Sequence, residues 1–124
     1  MIILVDDNAD QRLVLRLALE QGGYSVREAA NGRDAIALQR VRPAAVLITD
    51  IFMPEADGFE LIDNLTREFP ATRIVVVSGG GTRVTRDYLA SAKLMGVEAT
   101  LEKPFPAEAL LKMLSAMAVQ RSIE

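Results

Sequence analysis

The chain has 124 residues, half of them hydrophobic and a quarter charged, the balance of one soluble globular domain rather than a disordered chain. It contains no cysteine and no histidine, which excludes disulfides, thiolate or imidazole metal sites, cysteine nucleophiles, histidine bases and a phosphohistidine carried on this chain. A formal net charge of −3 argues against direct nucleic-acid binding, because phosphate backbones favour basic surfaces. No signal-peptide pattern follows Met1, and the apolar runs fall far short of the ~20 residues needed to span a bilayer, so a cytoplasmic protein with no membrane partner is expected.

Five short apolar runs recur along the chain: residues 2–5, 24–29, 45–49, 73–78 and 98–102. The segments between them carry helical periodicity. Leu13, Val14, Leu17 and Ala18 mark the apolar face of the first, which Gly22 and Gly23 terminate. Ala35, Ile36 and Leu38 mark the second, and Phe59, Leu61, Ile62 and Leu65 the third, opened by Asp57 and Gly58. Tyr88, Leu89, Ala92 and Met95 mark the fourth, closed by Gly96. Ala109, Leu110, Met113 and Met117 mark the fifth, entered through Pro104 and Pro106.

Strand and helix alternate five times, which predicts an α/β fold: a doubly wound, three-layer (βα)5 sandwich with a five-stranded parallel sheet. The runs at 45–49 and 73–78 are almost wholly apolar, as central strands should be, whereas 24–29 alternates and fits an edge. Strand order 2-1-3-4-5 follows, with ligands at the carboxyl ends of the strands. Neither a linker nor a low-complexity tract interrupts residues 1–124, so one domain with no output domain is expected.

Polar residues gather at those strand ends: Asp6 and Asp7 after the first, Asp50 after the third, Ser78 at the fourth and Lys103 after the fifth. The edge strand offers Glu28 near its end. Taken singly, Asp6 or Asp7 could cap a helix, Ser78 could be a loop residue and Lys103 a solvated charge. Together they pose an electrostatic problem. Two carboxylates about 4 Å apart repel by roughly 4 kcal/mol at an effective dielectric of about 20, so a third needs a cation. Oxygen donors alone select a hard ion such as Mg²⁺ or Mn²⁺, which leaves positions open for phosphate oxygens. Lys103 adds positive charge, Ser78 a hydrogen bond, and the central Asp50 a carboxylate nucleophile able to form an acyl phosphate. The set describes a phosphoryl-transfer site.

LVDDN at the first strand, TDIFMPEADG after the third, VVVSGG after the fourth and EKPF after the fifth resemble the response-regulator receiver domain of two-component signalling, from Ile2 to about Met117. The resemblance implies that Asp50 accepts a phosphoryl group from a histidine kinase or phosphotransfer protein, and that the chain is a signalling phosphoprotein, not a turnover enzyme. It implies Asp7 and Asp50 as Mg²⁺ ligands, Asp6 acting through water, and Phe52 contributing its backbone carbonyl. Ser78 would be the switching hydroxyl, Lys103 the lysine on the phosphoryl oxygens, and Lys103-Pro104 a cis peptide bond. The output partner is a protein of unknown identity, docking by family analogy on the fourth helix, fifth strand and fifth helix, and the domain is expected to be a monomer or weak dimer.

The chain departs from the pattern at three places. Thr100 stands where many receivers carry an aromatic switch residue. Phe52 and Gly80, flanking the expected path of attacking water, cannot orient it by a side-chain hydrogen bond, so dephosphorylation is expected to depend on what Phe52 shields. The GGG run at 79–81 lacks the GxxxxGK(S/T) context of a phosphate loop, so Gly79 and Gly80 are expected to keep room beside Asp50. Two other functions remain: a degenerate receiver that only binds proteins, or an aspartate-nucleophile phosphatase of the haloacid-dehalogenase type, whose DxDx(T/V) loop is absent.

Overall fold

The structure is a computed structural model and describes residues 1–51, 58–79 and 82–121. Strands β1 (Ile2–Val5), β2 (Val26–Ala29), β3 (Val46–Asp50), β4 (Arg73–Ser78) and β5 (Ala99–Glu102) alternate with helices α1 (Ala9–Gln21), α2 (Gly32–Val41), α3 (Gly58–Glu68), α4 (Arg83–Leu94) and α5 (Ala107–Ala116). The strands form one parallel sheet in the order β2-β1-β3-β4-β5, as the apolar patterning requires. Its register sets Val5 beside Thr49 and Ala29, Asp50 beside Val77, and Ser78 beside Glu102, so the strand ends form one rim.

Each face of the sheet buries its own core. Ile3, Val5, Leu47 and Val76 pack with Ile36, Leu61, Ile62, Leu65, Leu89 and Ala92 of α2, α3 and α4. Ile2, Leu4, Ile48, Val75 and Val77 pack with Leu19, Leu110 and Leu114 of α1 and α5. Burying one such aliphatic side chain contributes about 1.5–3 kcal/mol, so the central strands and these helix stripes supply most of the driving force. Strand alternation then decides a point that matters at the site. Ala99 and Leu101 pack on the α1/α5 side, so Thr100 and Glu102 face α4.

Strand limits move slightly: the 24–29 run narrows to Val26–Ala29, and the third strand extends to include Asp50. The face of α1 is a correction. Leu13, Val14 and Leu17 are half or more exposed, while Leu19 is fully buried and Leu15 packs beside it. Apolar residues occupy nearly every position from 13 to 19, so periodicity alone does not choose a face; the sheet selects Leu15 and Leu19. The helix ends where Gly23 takes a positive φ of 96°.

Candidate functional site

The first turn of α1 separates capping from chemistry. Its N-cap is Asn8, whose side-chain oxygen accepts the Gln11 N–H at 3.0 Å. The cap role is therefore taken by neither aspartate. Asp6 is nearly fully buried, at 2 % exposed, and its two carboxylate oxygens are divided. Oδ1 accepts the Asn8 N–H at 2.9 Å, closing a local turn, while Oδ2 lies 3.4 Å from the Lys103 ammonium. Asp7 is exposed and makes no hydrogen bond with other described residues.

Lys103 joins the strand ends. Its Nζ stands 3.2 Å from Asp50 Oδ2 as well as 3.4 Å from Asp6 Oδ2, and donates to Gln11 Oε1 at 2.9 Å. One positive charge is thus shared between two carboxylates from neighbouring strands. Its backbone N–H donates to the Ser78 carbonyl at 2.6 Å, which holds the end of β4 against the start of the following turn. The Lys103-Pro104 peptide bond is cis, as the resemblance implied. Gly79 lies beside the lysine, where an added Cβ would meet Lys103 Cβ at 3.5 Å and Cδ at 3.6 Å, ordinary contact distances.

Ser78 is fully buried and its hydroxyl has no hydrogen-bond partner among the described residues; Glu102, beside it in register, is half-buried, and its shielded Oε2 likewise has none there. A buried hydroxyl left unpaired costs about 1–3 kcal/mol, so such an atom at a strand end is either a defect or held for something not yet bound. Thr100 is half-buried on the α4 side. The approach of α3 requires Gly58: its N–H donates to the Ile51 carbonyl at 3.1 Å, and a Cβ there would come within 2.6 Å of Ile51 Cα. Phe52, Met53, Pro54, Asp57 and Gly80 lie outside the described residues.

The structure therefore brings Asp6, Asp50 and Lys103 together, sets Ser78 on the same rim, and leaves Asp7 at the solvent edge. Among the described residues no three acidic side chains stand close enough to hold a metal ion by themselves. The donor set nevertheless fits a hard divalent cation: every candidate ligand is an oxygen, and two carboxylates share a single ammonium with a third aspartate next in sequence. Sequence reasoning missed Gln11 and Arg12. Arg12 Nη1 donates to the Asp6 carbonyl at 2.5 Å, and its Nε to Glu28 Oε1 at 2.7 Å. Their positions one turn into a helix that follows a strand-end acid are the available signal. Between α1 and the Lys103–Phe105 turn a groove of about 440 Å³ opens beside the lysine, lined by Asp10, Val14, Leu15 and Phe105 among others.

Comparison with known proteins agrees with this geometry. The family model of the response regulator receiver domain matches residues 2–115. Protein PilH of Pseudomonas aeruginosa is 32 % identical over 118 residues, covering 94 % of this chain and 95 % of its own length. An NtrX-like response regulator of Rickettsia bellii is 29 % identical over 91 % of this chain, which spans only 23 % of that protein. The crystal structure of the NtrX receiver domain from Brucella abortus superposes with a TM-score of 0.85 at 29 % identity, covering 96 % of this chain and 98 % of that one. The chain belongs to the receiver domains of two-component response regulators.

Proposed function

We propose that this domain accepts a phosphoryl group on Asp50 from a histidine kinase or phosphotransfer protein, with Mg²⁺ as cofactor, and passes the change to a protein partner. The observation that carries the reading is the shared lysine: Lys103 Nζ lies within 3.4 Å of both Asp6 and Asp50, on the rim that also carries Ser78, whose hydroxyl has no partner among the described residues. Asp50 Oδ attacks the donor phosphorus, an O–P bond forms as the donor P–N bond breaks, and the electron pair leaves with the donor imidazole, which then takes a proton. Lys103 exchanges a carboxylate partner for the phosphoryl oxygens, and Ser78 donates its hydroxyl to one of them, relieving its unpaired state. Asp6, Asp7 and Asp50 would hold the cation, which when bound offsets the negative charge of the acceptor and the incoming group.

The product is a covalently modified signalling protein rather than a released substrate, so the chain acts as a phosphoacceptor and not as a turnover enzyme. No helix among the described residues is long and apolar enough to cross a membrane. The reading is tested by incubation with Mg²⁺ and a small acyl phosphate or phosphoramidate, followed by intact mass. One base-labile phosphoryl group on the wild type, absent in Asp50→Asn, is expected. Release of phosphate without a stable adduct would point to a phosphatase, and no reaction at all to a protein-binding module.

A further inference from the structure

Glu28, near the end of β2, is a strand-end acid that the phosphoryl site does not use, and its partners give it a role. Oε1 accepts Arg12 Nε at 2.7 Å and Oε2 accepts Arg16 Nη1 at 2.6 Å. The two arginines lie one helical turn apart on α1, where like charges repel, and Glu28 offsets that repulsion from the neighbouring strand. Arg12 is only 17 % exposed, and its other arm reaches the Asp6 carbonyl at 2.5 Å. The Asp6 N–H in turn donates to the Ala29 carbonyl at 3.1 Å. The backbone of Asp6 is therefore gripped on both sides, by β2 and by Arg12. Because the Asp6 carbonyl belongs to the Asp6–Asp7 peptide plane, pinning it also fixes where the Asp7 side chain leaves the chain.

We propose that Arg12, oriented by Glu28, is a positioning residue that holds the Asp6–Asp7 turn in the arrangement that binds the cation. Outer groups that orient ligands reduce the ordering cost of metal binding, and their loss typically weakens it by about 10- to 100-fold. Arginine suits the task because separate nitrogens of one rigid plane serve the carboxylate and the carbonyl at once; lysine offers a single donor centre. Charge alone predicts the opposite effect. Deleting a positive group beside a cation site should tighten binding, so the sign of the change separates positioning from electrostatics.

This rests on the proposed cation site, and the experiment distinguishes the two. Mg²⁺ affinity is measured by titration calorimetry with no phosphodonor, on the wild type, Arg12→Met, Arg12→Lys and Arg40→Met, with urea midpoints recorded for each. Arg40 forms a comparable ion pair with Glu68 at 2.8 Å, away from the site, and serves as the control. Arg12→Met is expected to bind Mg²⁺ about tenfold more weakly, Arg12→Lys to fall between it and the wild type, and Arg40→Met to match the wild type. Unchanged or tighter binding by folded Arg12→Met would overturn the proposal, as would equal weakening in Arg40→Met. Should Arg12→Met fail to fold, Arg12→Lys decides: wild-type affinity overturns the proposal and weakened binding supports it. Absence of saturable Mg²⁺ binding in the wild type would overturn the cation site itself, and the positioning role with it.

Discussion

Two buried polar clusters, one near each end of the sheet, are built in opposite ways. At the amino ends of the strands, Gln39 is fully buried and closes a small ring. Its Nε2 donates to Thr72 Oγ1 at 3.0 Å, Thr72 donates to the Ala44 carbonyl at 2.8 Å, and the Ala44 N–H returns to Gln39 Oε1 at 2.5 Å. At the carboxyl ends, Ser78 Oγ and Glu102 Oε2 are equally shielded from water and have no partner among the described residues, while two carboxylates share one lysine. A closed polar ring rigidifies a fold; an open one keeps donors and charge in reserve for a ligand. The contrast links the Gln39 ring to stability and the Ser78–Lys103 cluster to chemistry.

Substitutions at the two ends should therefore separate stability from phosphoryl uptake. The largest effect is expected for Asp50→Asn, which should abolish the base-labile adduct in mass spectrometry while moving the unfolding free energy by no more than about 1 kcal/mol. Lys103→Met should slow uptake from a small acyl phosphate by about 10²- to 10³-fold, the usual cost of removing one charge-stabilising donor. Gln39→Ala should do the reverse. Opening the ring strands the Ala44 N–H and should cost about 2–3 kcal/mol by urea unfolding, with uptake unchanged in the protein that remains folded. Ser78→Ala sharpens the comparison, since it deletes a buried hydroxyl with no bond to lose. Stability should hold within about 0.5 kcal/mol or rise, and uptake should fall by about tenfold.

The smallest effect concerns pH. Hydrogen bonds from Arg16 first and Arg12 second hold the Glu28 carboxyl below its ordinary value of 4.5. A carboxyl depressed in the folded state contributes stability that is fully present above 4.5 and is lost as pH falls through the lower folded value. Glu28 faces solvent in part, so the loss should be about 1 kcal/mol or less. Glu28→Gln should flatten the part of the stability curve that falls off below pH 4.5, measured by urea midpoints.

The fold was legible because its cues are one-dimensional. The short, almost wholly apolar runs at 73–78 and 45–49 match central strands covered on both faces, and the alternation of 24–29 marks an edge. The site was legible for the same reason: in a doubly wound sheet, residues that end strands must converge, so Asp6, Asp50, Ser78 and Lys103 could be placed together without coordinates. What failed needed a second dimension. The buried face of α1 depends on which of several equivalent apolar stripes the sheet selects, and Leu15 with Leu19 prevailed over Leu13, Val14 and Leu17. The link from Glu28 through Arg12 to the Asp6 carbonyl depends on register between β1 and β2 and on the rotation of α1, neither of which is written in any local pattern. The Gln39–Thr72 pair spans 33 residues and carries no sequence mark. Thr100 shows the converse. The missing aromatic was visible at once, and its place on the α4 side directs attention to Glu102, whose unpaired oxygen stands on that same side.

The claim that the carboxyl end of the sheet is kept open for a phosphoryl group is tested most directly by unfolding in the presence of a phosphoryl mimic. Urea midpoints are compared for the wild type and Asp50→Asn, each with Mg²⁺ alone and with Mg²⁺ plus beryllofluoride. A ligand that binds only the folded state stabilises by about 2.7 kcal/mol at a concentration of about 100 times its Kd. The expected result is a stabilisation of that order in the wild type and none in Asp50→Asn. A wild type that does not respond to beryllofluoride, or an equal response in both proteins, would contradict it.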